Sequence, residues 1–328
     1  MNIAPYILKF SAIYKPKLWG GSKIKTSFSR HIEDEKIGES WEISGIENNE
    51  TPIKNGIIAG KTLKEAIKIF KERLVGKTVY EEFGCQFPIL VKFIDAQTPL
   101  SIQVHPDNYF AKKNYNSLGK NEMWFIIGAE PTSEILVGFN QNLNEQKIRK
   151  ALETNSIENF INKYKVNPGE AYFIEAGTIH GIGKGVFLLE IQQASDITHR
   201  IFDYNRIDNA TGRKRELNIE ASMNVLDMNA HLKGKQDYYK IPNVHNKLIY
   251  TRYFKTNLWL ITQNINRDLS GVESFVIYIC ISGEVDIKSN CNSIILLAGE
   301  SAMIPAEFKN IVLSPMRESE LIEVYIEA

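Results

Sequence analysis

Cysteine is scarce. Cys85, Cys280 and Cys291 are the three in 328 residues, widely spaced and with no CxxC pair. Such a set does not make a disulfide scaffold and fits a reducing compartment. Net charge is absent too: 39 basic side chains balance 39 acidic ones, which removes the electrostatic ground for nucleic acid or an anionic membrane as partner. No uncharged apolar run approaches the ~18 residues of a membrane span. The opening Met-Asn-Ile-Ala-Pro-Tyr-Ile-Leu-Lys-Phe has no basic stretch followed by a sustained apolar core, so no signal peptide is expected. These absences predict a cytoplasmic chain. What is present is ample core material, 43% hydrophobic residues, in a length that exceeds one average domain.

Residues 7 to 60 alternate strand-like pieces with Gly- and Pro-bearing turns, and two motifs stand out there. They are Lys17-Leu-Trp-Gly-Gly21 and Ile37-Gly-Glu-Ser-Trp-Glu-Ile-Ser44. In the second, Ser40, Glu42 and Ser44 share one strand face, and the plain reading is an edge strand with a polar outer face. Thr62 to Val75 predicts a helix, with Leu63, Ala66, Ile67, Phe70 and Leu74 at the 3.6-residue period and a Thr62–Glu65 capping box. Phe87 to Phe93 predicts an apolar strand. Lys92 inside it either snorkels to an edge or faces a polar cavity, and the cavity is the favoured reading. The strand opened by Glu122 is expected to run to about Val137, and Asn144 to Tyr164 to form one or two helices.

The chemical centre is Leu100-Ser-Ile-Gln-Val-His-Pro-Asp-Asn108. Gln103 and His105, two apart on a strand, leave the same face, while Ile102 and Val104 point the other way. Glu122 opens the apolar run Met123–Ile127. An amide oxygen, an imidazole and a carboxylate on one sheet face suit a divalent first-row metal, zinc among them.

Downstream, Gly169-Glu-Ala-Tyr-Phe-Ile-Glu-Ala-Gly-Thr-Ile-His180 resembles the second motif of the cupin barrel, with glycines allowing a tight turn and His180 reaching the interior. Cupins normally carry Pro where Glu175 stands, and His-x-His where Gln103-x-His105 stands. The ligand set is then Gln103, His105, Glu122 and His180. Gly299 to Asn310 repeats the spacing, with Asn310 in place of His180 and no His-x-His before it; Phe275 to Ile287 offers only an apolar strand and a Gly283 turn. The repeat implies a mainly β chain of two cupin (jelly-roll-like) β-barrels with a small helical insertion. Residues 1–240 form the metal-binding domain, with helical insertions at about 62–75 and 144–164, and 241–328 a second, metal-free one.

Taken together, Trp19-Gly-Gly21, Gly38-Glu-Ser-Trp-Glu42, Leu100 to Asn108, Lys120-x-Glu122-Met-Trp124, Ala176-Gly-Thr-Ile-His180, Leu189-Glu-Ile-Gln-Gln193, Asp196-x-x-x-Arg200 and Asp203-Tyr-x-Arg206 resemble type I phosphomannose isomerases in their short bacterial form. The resemblance spans residues 17 to 206 and implies zinc-dependent interconversion of mannose 6-phosphate and fructose 6-phosphate. It puts one zinc on Gln103, His105, Glu122 and His180. Arg200 is assigned to stabilising the enediolate or a sugar oxygen; by the resemblance Lys120 is a candidate for proton transfer and Asp196 for ring opening. A lysine base must be held neutral by burial or a nearby cation. Lys120 read instead as a phosphate or surface contact, and Asp196 read only as a holder of Arg200, stay open. Trp19, Glu39, Ser40, Lys92 and Glu190 are candidates for substrate binding. Two departures are Asn121, where longer members carry Pro, and His199, where short forms carry Tyr. The short form lacks most of the helical domain of larger relatives, and is expected to be monomeric. A cupin oxygenase is disfavoured by Gln103 in place of a histidine. A non-enzymatic sugar-binding bicupin is disfavoured by the intact quartet beside Lys120 and Arg200.

Overall fold

In the computed structural model, residues 3–208, 211–231, 234–290 and 292–327 are described. The chain is mainly β and divides by contacts into two compact units, Tyr14–Ser40 with Val91–Gln236, and Met1–Ile13 with Trp41–Leu90 and Asp237–Ala328. The last boundary between the two groups of residues falls after Gln236, and residues 41–90, with the predicted helix, group with the C-terminal strands.

The unit that holds the candidate site is built of two facing antiparallel sheets. One has the order His199–Phe202, Ile102–Val104, His180–Ile182, Glu134–Phe139, Ile161–Lys165. The other runs Lys235–Gln236, Ala171–Ile174, Glu122–Gly128, Val186–Gln193, Ile89–Ala96, Glu39–Ile43, Ile13–Lys15, and the division between units falls inside the last three of these strands. Trp124, Ile126, Ile135, Val137, Tyr172, Ile174, Ile182 and Leu188 fill the space between the sheets. Among the described residues no ladder joins the two sheets, so the expected barrel is a jelly-roll sandwich held by side chains rather than a closed hydrogen-bonded cylinder. Alternation explains the placement of Gln103. Ile102 and Val104 bury outward under Ile148, Ala151 and Ile157 of the helical segment, which leaves Gln103 to face the interior.

The other unit is an eight-stranded sheet around long strands, Val276–Lys288 and Asn310–Tyr325, with the core Tyr278, Cys280, Val285, Leu296, Leu313 and Leu321. Gly283, expected to be a turn, is instead a kink within one strand, Val276–Lys288. Its φ is +87°, the register with Asn310–Tyr325 slips around it, and a Cβ would sit 2.1 Å from Ser319 Oγ. The sequence repeat is visible in backbone detail. Gly169 and Gly299 have φ of +87° and +85°, each precedes a strand of matched position, and His180 and Asn310 each open the next one. His180 is buried, whereas Asn310 is exposed.

The capping box is present: Thr62 accepts from Glu65 N, and Glu65 accepts from Thr62 N, at the start of the helix Leu63–Phe70. Three local expectations are corrected. The Glu122 strand ends at Gly128, and a turn closed by Ser133 N donating to Glu130 O starts a separate strand, Glu134–Phe139. The helical stretch after Asn144 covers Glu145–Glu153 and a short 3-10 turn, Ile157–Phe160; a left-handed Asn155 (φ +54°) ends the helix, and Ile161–Lys165 is a strand. Ser40, Glu42 and Ser44 do not form a polar outer face. All three are buried, because their strand lies inside the sheet between two neighbours rather than on its edge.

The glycines of Trp19-Gly-Gly21 are steric necessities. A Cβ on Gly20 would lie 2.4 Å from Gly38 N, and one on Gly38 would lie 2.7 Å from the Trp19 ring. Cys85 and Cys280 are free thiols; Cys291 lies outside the described residues. Among the described residues no helix is long and apolar enough to cross a membrane.

Candidate metal centre and substrate cavity

Four side chains from the two sheets converge. His180 is paired with Gln103 across the ladder between their strands, and His105 stands just beyond the end of the Gln103 strand. Glu122 opens the facing strand, opposite Ile174 and Gln192. The Gln103 amide lies 3.4 Å from His105 Nε2 and 3.3 Å from His180 Nε2. Glu122 carboxylate oxygens lie 3.2 Å from His105 Nε2 and 3.9 Å from His180 Nε2. The ligand atoms of His105, Glu122 and His180 fall within 4.8 Å of one another, and all three residues are buried.

The imidazoles are oriented as metal ligands are. His105 Nδ1 is 2.8 Å from the carbonyl of Ile197, and His180 Nδ1 is 2.9 Å from that of Thr178. Each Nδ1 is therefore the donor, which leaves Nε2 with its lone pair toward the cluster. Burial first, and then Lys120, push the His105 pKa down to about 3, and burial likewise lowers that of His180. Both rings stay neutral near pH 7. Burial alone would raise Glu122, but Lys120 and the histidines outweigh it and hold the carboxyl well below its ordinary range. Two neutral imidazoles, one carboxylate and an amide form a nitrogen–oxygen donor set that fits a divalent cation.

Lys120, itself buried, donates to Glu122 and lies 3.0 Å from His105 Nε2. Trp124 Nε1 donates to both Glu122 Oε2 (3.1 Å) and Glu190 Oε2 (3.0 Å), so one indole ties two carboxylates together. Glu190 pairs with Lys92 at 3.2 Å with both side chains about 5% exposed or less. Burial, reinforced by Glu122, raises the Glu190 carboxyl despite Lys92. Burial opposes the Lys92 charge, but Glu190 and other acids outweigh it and hold the ammonium above its usual range.

A cavity of about 310 Å³ opens beside this cluster. Of the residues singled out in the sequence, Trp19, Glu39, Lys92, Gln103, Lys120, Glu190, Asp196 and Arg200 line it. Lys92 thus faces a polar cavity instead of snorkelling. Ser40 is not among the lining residues; it is buried and hydrogen-bonded to Arg30 Nη1 at 2.7 Å. Asp196 is exposed and, among the described residues, forms no ion pair with Arg200. Ser101, within the Leu100–Asn108 motif, also lines the cavity, as do Thr198 and Arg215, which carried no local sequence signal.

The two departures have structural roles. Asn121 is buried, donates to Gln193 Oε1 (2.7 Å) and accepts from Ala176 N (2.9 Å), which locks the start of the Glu122 strand to the glycine turn before His180. His199 Nε2 is 2.9 Å from Tyr115 Oη, joining the Arg200 strand to the helix Asn108–Tyr115.

The fold and donor set define a cupin with a buried metal-type centre. Residues 7–127 match the family model for the type I phosphomannose isomerase catalytic domain, and residues 244–326 that for the mannose-6-phosphate isomerase cupin domain. The chain is 33% identical over 305 residues to a probable mannose-6-phosphate isomerase (GmuF) of Bacillus subtilis, with 90% of this chain and 92% of that protein covered. It is 30% identical over 295 residues to the mannose-6-phosphate isomerase of Streptococcus mutans, covering 90% of each. A crystal structure of mannose 6-phosphate isomerase from Bacillus subtilis superposes with a TM-score of 0.87 at 28% identity, over 98% of this chain and 100% of that one. The chain belongs to the type I phosphomannose isomerase family and is an isomerase of that family.

Proposed function

We propose that the protein interconverts mannose 6-phosphate and fructose 6-phosphate, using one Zn²⁺ per chain held by Gln103, His105, Glu122 and His180. The observation that carries this reading is the pair of buried, neutral imidazoles, each fixed by a backbone carbonyl at Nδ1 and aimed by Nε2 at Glu122 and Gln103, beside a polar cavity. The relatives named for this activity support it. Bound zinc supplies Lewis acidity that polarises the sugar oxygens near C1 and C2.

The chain's own residues do the rest. Aldose–ketose exchange moves a proton between C1 and C2 through a cis-enediol, and charge grows on the oxygens as it moves. Lys120, at the junction of cluster and cavity, is positioned to carry that proton. Arg200, one strand from Gln103 in the ladder, stabilises the developing oxyanion. Asp196, exposed at the cavity, serves ring opening. Trp19, Glu39, Lys92 and Glu190 line the space for the sugar, and Lys92 and Glu190 hold each other in place. The metal-binding catalytic part lies within residues 1–240, and 241–328 carry the metal-free cupin strands, in a monomeric cytoplasmic enzyme.

The test is a coupled assay of mannose 6-phosphate conversion before chelation, after it, and with zinc restored. Activity should vanish with chelator and return with zinc, and His105→Ala should abolish the zinc-dependent part. Fully metallated protein with no turnover overturns the reading.

A further inference from the structure

Lys120 is held differently from its neighbours in the cluster. Gln103, Glu122 and His180 stand in paired strands, whereas residues 118–121 lie outside every helix and strand. A lysine carries its charge on a flexible four-carbon stem, so the place of its nitrogen depends on how firmly the main chain beneath it is fixed.

What fixes it is a closed set of side-chain amides. Three successive backbone N–H groups are each taken up. Gly119 N donates to Asn108 Oδ1 at 2.8 Å, Lys120 N to the Pro106 carbonyl at 3.0 Å, and Asn121 N to Gln193 Oε1 at 3.2 Å. The two accepting side chains are themselves joined, with Gln193 Nε2 donating to Asn108 Oδ1 at 2.9 Å. Asn121 closes the set. Its Nδ2 donates to Gln193 Oε1 at 2.7 Å, its carbonyl accepts from Gln193 N at 3.2 Å, and its Oδ1 accepts from Ala176 N at 2.9 Å. Asn121 and Gln193 are both buried, and a buried amide network whose members are all paired is rigid. The segment also packs directly on the start of the helix Asn108–Tyr115, since a Cβ on Gly119 would lie 2.5 Å from Asn108 N.

The partners come from the segments that carry the cluster. Pro106 and Asn108 follow His105, Ala176 precedes His180 in the glycine turn, and Gln193 ends the strand of Glu190. We propose that Asn121, acting with Gln193 and Asn108, is a positioning residue for the reaction. It sets the Lys120 ammonium at His105 Nε2 and Glu122, and with it the geometry of proton transfer, while the paired strands hold the metal ligands. This rests on the isomerase reading above, with Lys120 as its proton carrier.

The experiment uses the zinc-loaded full chain with mannose 6-phosphate as substrate. Asn121→Ala should lower kcat about 10- to 100-fold, the scale of a lost outer partner at a reacting centre, with KM within about threefold of wild type. Its zinc content should be unchanged. Added to Lys120→Met, the same change should lower kcat by less than about twofold more, because it acts only through the lysine. The control is Asn162→Ala, which removes another structural amide of this unit, one that donates to the carbonyls of Phe139 at 3.1 Å and His231 at 2.8 Å. It should lower Tm and leave kcat and KM as in wild type. If Asn121→Ala does not fold, Asn108→Ala, at the half-buried end of the set, should lower kcat in the same way, and an unchanged kcat there overturns the proposal. Unchanged kcat in Asn121→Ala, a raised KM with kcat intact, zinc lost in step with kcat, or a fully additive effect on top of Lys120→Met overturns the proposal while the isomerase reading stands. An equal fall in kcat from Asn162→Ala overturns it too, since any weakening of the unit would then do the same. Wild-type kcat in Lys120→Met overturns Lys120 as the proton carrier, and a zinc-loaded wild type without turnover overturns the isomerase reading.

Discussion

Replacing Lys92 by Met should expose how the cavity wall is balanced. The Lys92–Glu190 pair is separated by 3.2 Å, and both side chains are almost wholly withdrawn from water. Removing the cation leaves Glu190 with the Trp124 indole as its neutral donor and with the charged Glu122 on the far side of that indole. Breaking a buried pair this way costs about 3–5 kcal/mol. For a unit of this size that corresponds to a fall of roughly 6–20 °C in Tm. The loss should depend on pH with a definite sign. Glu190 already has a raised pKa, from burial and from Glu122, and without Lys92 it rises further. A carboxyl whose folded pKa lies above its unfolded value costs nothing below the unfolded pKa and destabilises increasingly as pH climbs through the folded one. Lys92→Met should therefore be most damaging at pH 8 and milder at pH 5. The double variant Lys92→Met/Glu190→Gln, which keeps an acceptor for Trp124, should recover most of the loss. The assay is thermal and urea unfolding in the presence of chelator, so that bound metal adds no stabilisation of its own, analysed as a double-mutant cycle. A cost under about 1 kcal/mol with no pH dependence would refute the reasoning, since it would mean that water already screens the pair.

Asp203→Asn should lower Tm at pH 7, where two arginine partners outweigh burial and hold the carboxyl below its usual range; the loss is about 1.5–3 kcal/mol. Because the folded pKa is depressed, that contribution is full above the ordinary carboxylate pKa of about 4 and disappears as pH falls through the folded value, so melting curves of wild type and variant should converge in acid. A constant gap down to pH 2 would contradict the ion-pair account. Gly20→Ala places a methyl 2.4 Å from Gly38 N, where only backbone can yield, and should cost about 1–3 kcal/mol while displacing the Trp19 wall. A variant with unchanged Tm and KM would show that the Gly20–Gly38 contact has slack.

Much of the centre was legible because its information is local. A period of two along Ile102-Gln-Val104 fixes which side chains face inward, and the glycine spacing before His180 fixes a turn, whatever the rest of the chain does. The helix at Leu63–Phe70 and its capping box were likewise readable from residues three and four apart. Where local signals were averaged the reading slipped. The apolar spacing of Ile148, Leu152 and Ile157 suggested helix through Tyr164, but Ile161–Lys165 alternates buried and exposed as a strand against Glu134–Phe139.

What no window of sequence contains is closure between distant segments. The Trp124 indole, bonded to nearby Glu122, reaches Glu190 across 66 residues, and Asn121 reaches Ala176 across 55. Ser40, set by its motif among the substrate candidates, turns to Arg30 instead. Arg215 lies in the exposed-looking run Arg213-Lys-Arg215, and only the fold of the segment after Asp203 brings it to the wall that Arg200 shares. The sequence by itself determined the donor side chains of the candidate centre, their strand faces and the turn that delivers His180. The tertiary structure decided which charges meet, because pairing and burial depend on which segments the sheets bring side by side.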